Sequence, residues 1–158
     1  RGARRRPPLG RQQRKAARVN YATPFFSRHV LWLKLASAIY ILAIPLSHAH
    51  LPHNWVWGIA VFFLLLMLLP YPLAAQAQGA HHKTEILVST VLAAMGLLGL
   101  VASPWLIVSA IFLHGVWDLM KHRGAGANFF GWYLNGCVLV DWLYAAALST
   151  FLLSGADP

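Results

Sequence analysis

A chain of 158 residues is long enough for one ordinary soluble domain, but 58% hydrophobic and 11% charged residues exclude that reading. The charged share is about half that of a globular protein and leaves too little polar surface for a soluble monomer. The formal net charge of +9 comes mostly from the tail RGARRRPPLGRQQRKAAR, which beside a membrane span marks the cytoplasmic side and meets anionic lipid headgroups or a partner protein rather than nucleic acid.

The first apolar run is VLWLKLASAIYILAIPLS, residues 30–47. Thr23 and Pro24 are placed to open its helix earlier, as cap and first-turn proline. Lys34 lies near the entry, where its long stem can snorkel to the headgroups. A basic start, an apolar run and the triplet Ser47-His48-Ala49 imitate a signal peptide, but the chain continues unbroken and reads as a retained span.

The second run opens at Asn54-Trp55, and Pro70 and Pro72 are expected to kink or end it near the far interface. QAQGAHHK reads as a polar loop, after which Thr84 caps a third helix with Glu85 against its positive end. That helix carries Ala93, Ala94, Gly96 and Gly99, small residues that permit close packing in lipid. Ser103-Pro104 is a cap followed by a first-turn proline, so a fourth helix starts there and runs to about Met120. Lys121, His122 and Arg123 suit its negative end, and Gly124 is a natural stop. GAGAN is a turn. Asn128 is expected to cap a last helix over residues 129–153, with Gly155 ending it.

The expectation is an all-α, polytopic integral membrane protein of about five transmembrane helices, each near the roughly 20 residues a bilayer requires. Residues 1–22 form the basic cytoplasmic-side tail, 23–154 one transmembrane domain and 155–158 a short C-terminal tail. With the tail inside, the loops holding Lys83 and Lys121 with Arg123 also fall inside. The segments on the other side, residues 48–54, 103–104 and 154–158, carry no Lys or Arg, as the positive-inside rule asks. The C-terminus then lies outside, in a bacterial inner membrane or an equivalent energy-transducing membrane.

Only four acidic residues occur: Glu85, Asp118, Asp141 and Asp157. His114, Asp118 and His122 are four apart, on one helical face, with Lys121 beside them. Two readings stand: an interfacial ion network in which Asp118 balances Lys121 and a histidine, or a transition-metal site that draws a further ligand from elsewhere. Asp141 sits near the middle of the last span, where acids face the protein interior and have a partner or a task. Together with Cys137, Tyr144 and Tyr133 it forms a buried polar line. An antiparallel hairpin of the last two helices levels His114 with Gly136 and Cys137. It leaves Asp141 about 14 Å along the axis from Asp118, too far for one metal ion. His48, His50 and His53 in HAHLPH form a second cluster on the opposite side, and His81-His82 a weaker one; neither is expected to join His114. Cys137 has no partner for a disulfide.

Ala110 followed four residues later by His114 resembles the small-residue and histidine pair of single-span bacteriochlorophyll-binding light-harvesting polypeptides. That resemblance covers only those residues, and the five-span architecture departs from it. It implies His114 as axial ligand and Ala110 as the small neighbour of a tetrapyrrole. No catalytic residue is assigned, since no G-x-S-x-G, H-E-x-x-H, C-x-x-C or phosphate loop is present.

Two functional expectations follow. One is a non-catalytic subunit of a larger membrane complex, in contact with other membrane subunits and with a pigment, quinone or lipid on the polar face of the last two helices. The other is a small membrane transporter or membrane enzyme that handles protons or a metal ion through His114, Asp118 and Asp141.

Overall fold

The computed structural model describes residues 24–79 and 81–154, and these are helical with no strand. In chain order they form α1 (Pro24–Arg28), α2 (Val30–His50), a 3-10 turn at His53–Trp55, α3 (Val56–Leu68), α4 (Pro70–Gln78), α5 (His82–Gly99), α6 (Pro104–Lys121) and α7 (Gly131–Leu153). The basic tail, its neighbour Thr23 and the stop expected at Gly155 lie outside the described residues.

Among the described residues, three stretches are long and apolar enough to cross a membrane: Val30–His50, His53–Gln78 and Gly131–Leu153. α5 and α6 have 18 residues each, about 27 Å at 1.5 Å per residue. Each also carries charged side chains, Lys83 and Glu85 in one and Asp118 and Lys121 in the other, which lowers its apolar character.

α3 and α6 form the centre. Ala60 and Leu64 of α3, and Ile107, Ala110 and Ile111 of α6, have no exposed surface. α5 reaches this core through its glycines: a Cβ at Gly96 would stand 2.7 Å from Leu64 Cδ2, and one at Gly99 would stand 3.0 Å from the Ile107 backbone nitrogen. Ala94, expected on the same packing face, is exposed. The outer surface is a belt of large apolar side chains, among them Trp32, Ile39, Leu42, Val101, Leu139 and Leu143. A soluble monomer rarely shows so continuous an apolar exterior.

Several expected boundaries move. Pro70 and Pro72 do not end the second helical run. The run breaks at Leu69 and resumes with Pro70 in the first turn of α4, where a missing N–H is not required. The polar loop contracts, because Gln76 and Gln78 are still helical. Gly79 (φ 65°) and His81 (φ 59°) take left-handed conformations that reverse the chain in a few residues. α5 therefore starts at His82 with His81 as cap, not at Thr84. At the start of α6, Ser103 is the cap residue and Pro104 the first helical residue, as expected, though Ser103 makes no side-chain capping bond. Gly124 (φ 91°) ends the turn after α6.

Asn128 does not cap the last helix. Its backbone N–H donates to Gln78 Oε1 at 3.2 Å, and its carbonyl accepts from Gln78 Nε2 at 2.8 Å. Residues 125–130 run non-helically over the end of α4, and α7 begins at Gly131 after an extended Phe130.

Candidate functional site

α6 and α7 form the most extensive helix pair. Gly115 sets their closeness: a Cβ there would lie 2.7 Å from Trp142 Nε1 and 3.2 Å from Asp141 Cβ. The longer connection and this close approach shift the register from the one expected. His114 is level with Asp141 rather than with Gly136 and Cys137. Its Nδ1 lies 2.8 Å from Asp141 Oδ2. With Asp141 ionised, the carboxylate accepts and Nδ1 donates.

Asp118 lies one turn along α6 on the same face. Its Oδ2 accepts from the Tyr71 hydroxyl at 2.8 Å. One ligand atom each from His114, Asp118 and Asp141 falls within a set whose members are all within 4.8 Å of one another. The expected separation of the two acids is thereby overturned. They differ by about 6 Å along the axis in the observed register, a gap that their side chains close.

All three residues are fully buried, and each has one polar atom without a hydrogen-bond partner: His114 Nε2, Asp118 Oδ1 and Asp141 Oδ1. Buried polar atoms are nearly always satisfied, so three orphans in one cluster need a reason.

Charge is unbalanced at the same place. Lys121 is the one buried Lys or Arg among the described residues, and it is already committed. Instead of balancing Asp118, Lys121 pairs with Glu85. The same Glu85 carboxylate accepts from Trp117 Nε1 at 3.1 Å and from the Ala127 N–H at 2.6 Å. Gly126 (φ 66°) lets the loop pass: a Cβ there would stand 2.9 Å from Trp117 Cζ2 and collide with the Glu85 carboxylate. Lys121 Nζ also sits 3.8 Å from the centroid of the Tyr71 ring, over the phenol that holds Asp118. The Glu85–Lys121 pair is thus neutral and full. Two carboxyl groups and one imidazole remain without a fixed cation.

No family model, curated protein or solved structure matches this chain.

His122, expected as a ligand with His114 and Asp118, is exposed at the end of α6 and outside the cluster, because the helix gives way to a turn there. Ala110 has no exposed surface, like His114. The imidazole and its small neighbour are both enclosed by protein. Cys137 is half-buried beside the Tyr71 and Tyr133 hydroxyls. Tyr144 is buried one turn beyond Asp141 and is hydrogen-bonded to His48 Nε2 at 3.0 Å. One member of the HAHLPH cluster therefore does reach the polar line, through Tyr144, because α2 stays helical to His50. His50, His53, His81 and His82 are exposed.

Tyr71, Glu85, Gly115 and His48 were not assigned to this network by the sequence. Tyr71 lies between two prolines and looked like part of a helix end. The other three act through partners 26 or more residues away, which no local pattern reports.

Proposed function

We propose that the chain is a five-span integral membrane protein, N-terminus inside, that holds a divalent transition-metal ion at His114, Asp118 and Asp141. It acts as a small membrane enzyme or transporter. Two observations carry this reading: one ligand atom each from buried His114, Asp118 and Asp141 falls within 4.8 Å of the others, and every one of the three residues keeps a buried polar atom without a partner. One imidazole and two carboxylates suit zinc, iron(II), nickel or manganese. Three protein ligands leave a coordination position open, the arrangement of sites that do chemistry or release their ion.

The supporting contacts fit the same reading. Ligating carboxylates are themselves hydrogen-bonded, and here Tyr71 orients Asp118. A cation shared by His114 and Asp141 takes the place of the proton that joins Nδ1 to Oδ2. A proton is the other cation that would balance these charges, and intramembrane acids also serve proton relays.

The bilayer reading places α5 and α6 across the membrane with the other helices, in an energy-transducing membrane such as the bacterial inner membrane. The subunit reading rests on the basic tail, which lies outside the described residues, and on an apolar exterior that lipid covers equally well.

Metal content separates the readings. Protein purified in detergent and equilibrated with zinc or manganese is expected to retain about one ion per chain, a stoichiometry lost in Asp118→Asn and Asp141→Asn. A protein that holds no metal, but whose vesicles take up protons until Asp141 is changed to Asn, is a proton carrier instead. Neither result would reduce the cluster to a structural knot.

A further inference from the structure

The exposed formal charges are all of one sign. Glu85, Asp118 and Asp141 are buried, so among the described residues no Asp or Glu reaches the surface. Arg28, Lys34, Lys83 and Arg123 are exposed, and none of the four forms an ion pair with a described residue. Three contacts gather these cations at one end of the bundle. The Glu85–Lys121 pair ties the start of α5, with Lys83, to the end of α6, with Arg123 beyond it. The Gln78–Asn128 bonds hold the end of α4 to the connection before α7. Phe26 of α1 meets Phe129 of that connection edge-on, with ring centroids 5.1 Å apart, which brings Arg28 to the same end. Exposed His82 and His122 add N–H donors beside Lys83 and Arg123. At the opposite end Leu51, Val101 and Leu153 are exposed, and residues 48–54, 100–104 and 150–154 hold no Lys, Arg, Asp or Glu.

The level of these cations decides what faces them. On α5, exposed Ile86 and Leu87 begin one turn after Lys83. On α6, exposed Leu119 and Met120 stop one turn before Arg123. On α2, exposed Leu31 and Trp32 lie between Arg28 and Lys34, whose ammonium stands 5.8 Å from the centroid of the Trp132 ring. On three helices, then, the apolar exterior gives way to a cation within a single turn. In a bilayer that boundary is where acyl chains give way to phosphates.

We infer that this end of the folded body, apart from the basic tail, binds the phosphates of anionic phospholipids, with Lys83 and Arg123 as its principal cations. The planar Arg123 guanidinium can hold a phosphate through two parallel N–H bonds, while Lys83 contributes a compact charge. Anionic lipid supplies the negative charge that the described surface lacks, at the depth where its cations stand. The inference rests on the bilayer reading and not on the cation centre.

Spin-labelled phosphatidylglycerol and phosphatidylcholine, each added to the full chain in phosphatidylcholine bilayers, test it. Lipid against the protein is motionally restricted, and the restricted fractions give the preference for the anionic headgroup. The parent is expected to prefer phosphatidylglycerol. Lys83→Gln with Arg123→Gln is expected to lower that preference, by up to about five-fold for each cation removed. Lys83→Arg with Arg123→Lys, which keeps both charges, is expected to retain it. The basic tail is the same in every variant, so a difference between them belongs to the folded body. A preference that the two glutamines leave unchanged would overturn the inference and leave this surface to an acidic partner protein. A chain that restricts neither lipid would overturn it together with the bilayer reading.

Discussion

Tyr71 and Glu85 show how single side chains organise the buried centre. Tyr71 donates to Asp118 and lies beneath the Lys121 ammonium, so one phenol ties the neutral ion pair to the His114–Asp118–Asp141 cluster. Removing its hydroxyl deprives Asp118, a ligand in the proposed cation site, of its orienting bond. Tyr71→Phe is expected to lower metal affinity about 10- to 100-fold, the usual effect of losing such a support. Titration with a competing chelator measures it, and unchanged affinity would detach Tyr71 from the site. Glu85 has a different task. Breaking a buried ion pair by removing one partner costs about 3–5 kcal/mol, because the other charge is stranded. Glu85→Gln is therefore expected to lower the melting temperature in detergent sharply. The double variant Glu85→Gln with Lys121→Met is expected to recover much of the loss. A double variant as unstable as the single one would mean that Glu85 acts through Trp117 and the Ala127 N–H instead.

At the level of elements, the helix pair α6–α7 depends on Gly115. A methyl group there must displace Trp142 or Asp141. Overpacking of this kind costs about 1–3 kcal/mol. Gly115→Ala is expected to destabilise the protein by that amount and to weaken cation retention by moving Asp141 away from His114. A variant that melts and retains metal like the parent would show that Gly115 does not set the register. The helices themselves were largely legible. Ser103-Pro104 and Gly124 are local signals, and the structure uses them where they occur. Pro70 was legible as an interruption but not as a restart, since a proline in a first turn and a proline at a helix end look alike without the flanking geometry. Asn128 failed as a cap because Gln78, 50 residues away, claims its backbone. That lost cap lengthened the connection before α7 and moved the register, which is why the sequence separated two acids that the fold brings together. His114, Asp118 and Asp141 were still individually conspicuous, because burying an ionisable group inside apolar helices is costly enough to demand a partner.

For the whole molecule, the proposed orientation places His48 and Asn54 outside and the α4–α5 turn inside. The described residues give two exposed reporters, Ala49 and Thr84. In a Cys137→Ser background, a membrane-impermeant maleimide applied outside is expected to label Ala49→Cys and to spare Thr84→Cys until the membrane is opened. The opposite pattern would invert the topology without disturbing the cluster. The central claim is that the fold gathers three donors, from α6 and α7, around a cation in the middle of an apolar body. X-ray absorption on the zinc-loaded protein tests this most directly. It should report one imidazole nitrogen with oxygen ligands at about 2.0–2.2 Å. Its imidazole signature should disappear in His114→Gln, which leaves every exposed histidine in place. A zinc spectrum without imidazole, or one that His114→Gln leaves unaltered, would contradict the account.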